Sequence, residues 1–264
     1  MAIRDVVRGR IDWDRLAGVF REFARRHDRE YVRVEFVEAD NWLSIPCVVD
    51  DEYFVKVITP QNSVVQSLFT AGRNLGAVSS GTGGFFERAD DPLTMAEHEL
   101  AATERMREAG IDAPEPVEAF EAEGLGVLVL EYLKDFRTLE DCPTEEVADL
   151  APELFDTLAR LHEQGLVHGD LQGDNVLVLE DALYLIDATH VRDAGPDARA
   201  YDLACAIGML VRFLDASTVV EAALSAYSPE ELLAAREFLD FVNLRPDHEF
   251  DAPEVIGEIE KVAA

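Results

Sequence analysis

One stretch of the sequence decides the fold, and it reads Leu166-Val167-His168-Gly169-Asp170-Leu171-Gln172-Gly173-Asp174-Asn175-Val176-Leu177-Val178. The apolar run after Asn175 predicts the first strand of a hairpin, and the second strand leads into Asp187. Phosphoryl transfer requires a group that orients the attacking oxygen and cations that neutralise the transferred phosphate. Asp170 can orient that oxygen, and Asn175 and Asp187 can hold a metal ion across the phosphates.

A lysine inside an apolar strand adds a cation to this set. Lys56 lies within Phe54-Val55-Lys56-Val57-Ile58 and is one of only three lysines in the chain. A lysine in such surroundings is costly unless a carboxylate pairs with it. Glu99 lies on a helix that we expect to begin after Thr94, with Thr94 as its cap, and to end at Gly110. We therefore predict that Glu99 pairs with Lys56 and aims its ammonium at nucleotide phosphates.

The first half of the chain predicts a small antiparallel sheet. Residues 1–29 read as one amphipathic helix that Asp12 could cap, and three short strands follow, near 32–36, 47–49 and 53–58. Residues 59–92 contain a glycine-rich stretch and predict a flexible insertion. A further hairpin follows the helix that carries Glu99.

The second half predicts mostly helices, one of them starting at Pro152 and ending at Gly165. We therefore expect an α+β fold of two lobes, with an N-terminal helix at 1–29, an ATP-binding lobe at 30–132 and a helical lobe at 133–264. The catalytic loop and the metal site belong to the helical lobe.

Composition limits the class of protein. With 264 residues, 48% of them hydrophobic, the chain can bury a substantial core. The net charge of −31 disfavours non-specific nucleic-acid binding at ordinary salt, and acid excess with scarce lysine resembles proteins of salt-loving microbes. No apolar run is long enough to span a bilayer, so we expect a soluble, cytoplasmic protein without a membrane partner. Cys47, Cys142 and Cys205 show no spacing typical of a zinc site or a disulfide framework.

The motifs resemble the protein-kinase-like superfamily and, most closely, its RIO-type atypical serine/threonine kinases. His168-Gly169-Asp170 matches the start of their catalytic loop. Their glutamate-carrying helix and the chain that follows it are matched by three stretches here, namely Ala96-Glu97-His98-Glu99-Leu100, Glu108-Ala109-Gly110-Ile111 and Pro114-Glu115-Pro116. Kinases associated with the archaeal KEOPS assembly are similar at the same positions. The resemblance covers about Tyr53 to Leu210 and implies a two-lobed kinase fold that uses ATP and Mg²⁺.

The resemblance also implies roles for individual residues. Lys56 would contact the α- and β-phosphates with Glu99 as its partner, and Asp170 would be the catalytic base. Asn175 and Asp187 would bind the metal. The backbone of Glu131 and Leu133 would contact adenine, and Leu177 would form the floor of the adenine pocket. Asp202 would support the catalytic loop.

Departures from ordinary kinases leave the phosphate acceptor open. Gln172 replaces a phosphate-contacting lysine, so one cation is missing, and the stretch from Asp187 to Asp202 is too short for a full activation segment. A RIO-like protein kinase or ATPase is the leading hypothesis. The first alternative is a small-molecule kinase that resembles aminoglycoside or choline phosphotransferases. The second is an ATP-gated binding switch in a ribosome or RNA-modification assembly.

Overall fold

A computed structural model describes residues 12–37, 44–59, 91–187, 195–245 and 248–264. Residues 1–11 of the predicted N-terminal helix and 60–90 of the predicted insertion lie outside this part of the chain. The described residues divide into two compact units. The first contains residues from 12–59, 91–104 and 114–134, and the second contains 105–113 and those from 135 onward.

The first unit is built on a five-stranded antiparallel sheet with the strand order β1-β2-β3-β5-β4. Its elements are α1 (Trp13–Arg26), β1 (Val34–Phe36), β2 (Ile45–Val49), β3 (Tyr53–Ile58), α2 (Pro92–Glu108), β4 (Pro116–Ala122) and β5 (Leu125–Glu131), and only the last turn of α2, residues 105–108, counts with the second unit. Tight turns set the register of two hairpins. Type I′ hairpin turns require two central residues with positive φ. Positive φ occurs at Asp50 and Asp51 between β2 and β3, and at Glu123 and Gly124 between β4 and β5.

The two faces of this sheet are covered by different helices. Alternate strand residues such as Cys47, Val55 and Val127 form one buried cluster with Leu16, Val19, Phe20 and Phe23 of α1. The opposite face packs Ile58, Leu128 and Leu130 against Met95 and Ala96 of α2. Asp12 caps α1 by accepting the N–H of Asp14, so the predicted cap is confirmed.

The start of α2 differs from the prediction that Thr94 caps it. The helix begins at Pro92, and Asp91 accepts both the N–H of Thr94, at 2.9 Å, and its hydroxyl. A carboxylate one turn earlier satisfies the first N–H groups and takes up the threonine hydroxyl as well. At the other end, Gly110 has a φ of +77° and follows the last helical residue closely, as predicted.

The second unit is mostly helical, which confirms the α+β arrangement. It contains β6 (Arg137–Thr138), α3 (Thr144–Glu163), β7 (Val176–Leu179), β8 (Ala182–Leu185), α4 (Pro196–Leu210), α5 (Ala216–Ala223), α6 (Pro229–Val242) and α7 (Ala252–Val262). Strands β6, β7 and β8 form a small antiparallel sheet. Helix α4 is central, because every residue from Ala200 to Leu210 is buried.

The prediction that a helix starts at Pro152 is wrong, since Pro152 lies inside α3. Pro152 is exposed, and without its N–H the carbonyl of Ala148, one turn earlier, loses its helical partner. Buried residues on both sides of Pro152, such as Val147 and Phe155, continue one apolar face through it. Among the described helices, none is both long and apolar enough to cross a membrane.

Candidate functional site

The first unit holds the predicted lysine and its carboxylate in contact. Alternation along β3 puts Val55 and Val57 against α1, so Lys56 faces α2 on the opposite side of the sheet. The Lys56 Nζ lies 2.6 Å from Oε1 of Glu99, and the two side chains are 6% and 8% exposed. A buried ammonium so close to a carboxylate is compensated in charge and fixed in position. The structure thus brings together two residues that the sequence singled out.

A close approach between β5 and α2 sets the position of Glu99. A Cβ on Gly126 would lie 2.0 Å from the carbonyl oxygen of Pro92, so only glycine allows the first turn of α2 to lie against the strand. The Thr103 hydroxyl donates to the Glu99 carbonyl and is itself buried. Glu99 therefore projects from a helix whose distance to the sheet is defined by backbone contact.

The residues expected to bind adenine lie in both units. Glu131 ends β5, where its N–H donates to the Glu115 carbonyl at 2.8 Å and its carboxylate accepts the Glu115 N–H at 3.1 Å. Leu133 is buried at the end of the first unit. Leu177 is buried in β7 of the second unit, opposite Tyr184 of β8. The adenine contacts of these residues stay predictions.

The catalytic loop of the second unit is fastened to α4 by one carboxylate. Asp202 is fully buried and accepts the backbone N–H of His168 at 2.7 Å and that of Gly169 at 2.9 Å. Its Oδ2 also lies 3.1 Å from Nε2 of His162. Burial alone would raise the pKa of Asp202, but the hydrogen bond with His162 and the two N–H donors hold it below the usual range. The loop is thus anchored by an ionised aspartate, and Gly169 supplies the positive φ of 80° that this bend requires.

His168 braces the loop against the strand that leads to Asp187. Its Nε2 lies 2.9 Å from the carbonyl oxygen of Ile186, so Nε2 carries the hydrogen and donates. Nδ1 is buried and has no hydrogen-bond partner among the described residues. Burial lowers the pKa of His168 below its ordinary value despite the nearby Asp202 and Asp170. His168 is therefore a neutral residue that supports the loop.

Asn175 and Asp187 fit the chemistry of a magnesium site. The Asn175 Nδ2 donates to the backbone carbonyl of Asp170 at 2.9 Å, so the amide oxygen is the atom of that side chain that could ligate a metal. The Asn175 carbonyl accepts the N–H of Ile186 at 3.0 Å, next in the chain to Asp187. An amide oxygen and a carboxylate are the hard oxygen ligands that Mg²⁺ takes together with phosphates and water. No cluster of three or more His, Cys, Asp or Glu side chains suited to a metal occurs in the described ranges.

The backbone at Asp187 is strained. Its φ is +59°, in the left-handed region that non-glycine residues seldom occupy. Such a conformation costs about 1 kcal/mol or more and persists where surrounding structure enforces it, often at functional sites. Asp187 lies two residues after the last residue of β8, Leu185, so the strained backbone follows directly on the end of that hairpin.

The carboxylate of Asp170 has a partner that the sequence did not reveal. Nη2 of Arg245 lies 2.9 Å from Oδ1 of Asp170, with side-chain exposures of 12% and 21%. Arg245 follows α6, far along the chain from the loop, and no motif marks it. The only sequence signal was indirect, namely the missing lysine at Gln172, which left the loop without a cation of its own.

Part of the chain is similar to a known family and to a known protein. The family model of the RIO domain matches residues 90–225, just over half of the chain. Over 87 residues the chain is 34% identical to the KEOPS complex subunit Bud32 of Pyrococcus abyssi (strain GE5 / Orsay), a match that covers 31% of this chain and only 38% of that protein.

Two solved kinase structures are similar at low sequence identity. Vaccinia related kinase 3 is 12% identical with a TM-score of 0.42, over 87% of this chain and 86% of that chain. A point mutant of the PknI kinase domain of Mycobacterium tuberculosis is 15% identical with a TM-score of 0.45, over 88% and 96%. The RIO domain match by itself decides the family. The chain therefore belongs to the RIO domain family, the RIO-type atypical branch of the protein-kinase-like superfamily.

Proposed function

We propose that this chain is an ATP-dependent phosphotransferase, a RIO-like atypical serine/threonine kinase or ATPase. Lys56 binds the α- and β-phosphates, and Glu99 holds its ammonium in place. Asp170 orients the attacking oxygen, which comes from an acceptor hydroxyl or from water, and receives its proton. Glu131, Leu133 and Leu177 contact the adenine.

Asn175 and Asp187 are the residues that would hold Mg²⁺ in this proposal. When bound there, the ion neutralises negative charge on the phosphates. The anchoring of the loop by Asp202 keeps Asp170 and Asn175 at fixed distances from one another. Little reorganisation is then needed when the phosphoryl group is transferred.

The observation that carries the proposal is the buried contact between Lys56 and Glu99. Lys56 lies outside residues 90–225, which the family model matches, so its place in the strand adds an observation that the match does not contain. Burying an ammonium and a carboxylate costs more than packing apolar side chains of the same volume. The chain has only three lysines, and one of them is buried in the sheet at this cost. This indicates that the ammonium of Lys56 has a functional role.

The test is turnover of labelled ATP with Mg²⁺ at low and at molar KCl, for the wild type and for two matched variants. Asp187→Asn removes a ligand charge and should lower turnover about 100-fold or more, because metal binding weakens. Asp181→Asn is the control, since Asp181 also has positive φ but lies in the β7–β8 turn. Wild-type turnover in Asp187→Asn would refute the metal assignment. A wild type that neither binds nor consumes MgATP would refute the function.

The acceptor is the open part of the proposal. Helix α4 begins at Pro196, only nine residues after Asp187 (196 − 187), which leaves no room for the long segment that docks peptides in ordinary kinases. Water and small hydroxylated metabolites are therefore candidate acceptors of the phosphoryl group. A panel of such metabolites separates this alternative from protein phosphorylation, because useful turnover of one of them would favour a small-molecule kinase.

Kinship with the KEOPS subunit suggests a cytoplasmic assembly as partner. That relative is named as a subunit of a complex, and this chain matches 38% of its length. We propose that the chain joins a KEOPS-like or ribosomal assembly and that ATP gates its association. Affinity purification with and without MgATP tests the gating, and an identical set of captured proteins in both would contradict it.

A further inference from the structure

The catalytic loop contains no cation of its own. From Leu166 to Val178 there is no lysine or arginine, and Gln172 stands two residues after Asp170. The γ-phosphate of ATP carries negative charge, and an uncompensated carboxylate beside it would repel it. In the proposed reaction Asp170 must nevertheless be close to the point of attack. A cation delivered from elsewhere would remove this conflict.

Arg245 is placed to be that cation. Its Nη2 donates to Oδ1 of Asp170 at 2.9 Å, while Nη1 lies 3.2 Å from the Tyr201 hydroxyl and 3.8 Å from the Cys205 sulfur. Both of these neighbours belong to α4, the buried helix that also carries Asp202. The guanidinium is therefore held by a rigid helix on one side and engages the carboxylate on the other.

Hydrogen bonds and burial hold the described residues on either side of Arg245. The Arg245 N–H donates to the Val242 carbonyl at the end of α6, and the His248 N–H donates to the Arg245 carbonyl. His248 is fully buried, with Nε2 3.2 Å from the Cys205 carbonyl. A Cβ on Gly208 would lie 3.1 Å from the His248 ring and 2.8 Å from Phe250, so this glycine makes room for the segment against α4.

We infer that Arg245 is a positioning residue for phosphoryl transfer, which holds the Asp170 carboxylate in its working orientation and offsets its charge against the nucleotide. The inference rests on the proposed function. Arg245 acts through Asp170, and it supplies from a segment after α6 a cation that residues 166–178 do not contain. Arginine can fill this role because one N–H of its planar guanidinium can donate to a carboxylate while other N–H groups donate to different partners.

The test measures kcat and KM for MgATP in Arg245→Gln, Arg245→Lys and the control Arg236→Gln. Arg236 lies on α6 and pairs with Glu237 and Glu260 at the surface, so its loss removes an arginine of the same unit away from the loop. We expect Arg245→Gln to lower kcat about 10- to 100-fold and to change KM less than about threefold, because orientation of the attacking group matters in the transition state. Arg245→Lys should regain kcat to within about tenfold of wild type, and Arg236→Gln should leave both constants unchanged.

A double-variant comparison separates positioning from general damage to the fold. In an Asp170→Asn background, measured at single turnover, Arg245→Gln should change the rate less than about twofold, since no carboxylate is left to position. If Arg245→Gln does not fold, Arg245→Lys carries the test, with kcat expected about 3- to 10-fold below wild type and KM unchanged.

Three outcomes would overturn the inference. A wild-type kcat in both Arg245→Gln and Arg245→Lys would show that the contact has a purely structural role. A raised kcat would show that the contact of Arg245 with Asp170 inhibits the reaction. Equal losses from Arg245→Gln with and without Asp170 would show that it does not act through Asp170. These results leave the proposed function standing, because the wild type is active in each. A wild type without turnover would refute the proposed function and the inference with it.

Discussion

The two ion pairs, one in each unit, are held by different kinds of structure. Lys56 and Glu99 are 43 residues apart in the chain and project from a strand and a helix that pack directly on each other. Asp170 and Arg245 are 75 residues apart and lie on a loop and on an irregular segment after α6. The first pair is almost fully buried, whereas the second retains more contact with solvent.

The difference separates two ways in which a protein can place a charge. Where regular elements carry both partners, strand alternation and helix packing determine the contact, and the charges are deeply desolvated. Where irregular backbone carries them, the contact depends on hydrogen bonds and on room made by particular residues such as Gly208. The first arrangement should be costly to break, and the second should be less costly but more closely tied to catalysis.

The largest effect on stability is expected from breaking the buried pair. Lys56→Met leaves the Glu99 carboxylate buried without its ammonium and should lower the free energy of unfolding by about 3–5 kcal/mol. Lys56→Met combined with Glu99→Leu removes both charges and should restore most of that loss without restoring ATP turnover. Urea denaturation measures the first quantity and labelled ATP the second. If Lys56→Met unfolds at the wild-type urea concentration, the pair is not a determinant of stability.

A second test shifts α2, the helix that carries Glu99, without removing either charge of the pair. Gly126→Ala inserts a Cβ 2.0 Å from the Pro92 carbonyl oxygen, a backbone atom that cannot turn away. The first turn of α2 must shift, at a cost of about 1–3 kcal/mol, and Glu99 moves with it, so ATP turnover should fall as well. Gly257→Ala in α7 is the matched control. A Cβ there meets nothing within 4 Å, and alanine should stabilise that helix by about 0.5–1 kcal/mol. Equal stability of the two variants would mean that the β5–α2 contact is not tight.

The same contrast explains what could be predicted from the sequence. The strands of the first unit, the α+β arrangement and the Lys56 partner followed from local patterns, because alternation and helix spacing act over a few residues. The cap of α2 was misplaced by one turn, since Asp91 and Thr94 both have suitable side chains and only three-dimensional contact chooses between them. Pro152 was misread because a proline on the exposed face of a helix is tolerated when the apolar face continues.

Arg245 could not have been predicted in this way. Its contact with Asp170 depends on the path of the chain after α6, on the space beside Gly208 and on the anchoring of His248. None of these is a local pattern, and single arginines near a chain end are common on protein surfaces. What the sequence did contain was the absence of a cation at Gln172, a gap that indicates a compensating residue but not its position.

A third prediction concerns the cost of breaking the more exposed pair. Asp170→Asn removes the carboxylate that Nη2 of Arg245 donates to and should cost about 1–2 kcal/mol, between the values for surface and buried pairs. Asp174→Asn, at an exposed position in the same loop, should cost less than about 0.5 kcal/mol. Thermal unfolding compares them. A loss as large as that of Lys56→Met would contradict the comparison between the two pairs.

The smallest effect is expected from the pH dependence of the catalytic loop. The pKa of His168 is lowered in the folded protein, while an unfolded histidine binds a proton near pH 6.5. Below that pH the unfolded state binds more protons than the folded one, so stability falls as pH falls, and His168 contributes at most about 1 kcal/mol between pH 7 and 5.5. The cost has a structural origin, because protonation would put a hydrogen on the buried Nδ1, which has no acceptor among the described residues.

Urea denaturation at several pH values measures this contribution in His168→Gln, with His98→Gln on the exposed side of α2 as the control. Glutamine can still donate to the Ile186 carbonyl but does not titrate, so His168→Gln should flatten the decline below pH 6.5, while His98→Gln should not. A decline of wild-type steepness in His168→Gln would place the acid sensitivity elsewhere in the unit. A flattened profile would show that His168 is neutral in the folded protein and that its protonation opposes folding.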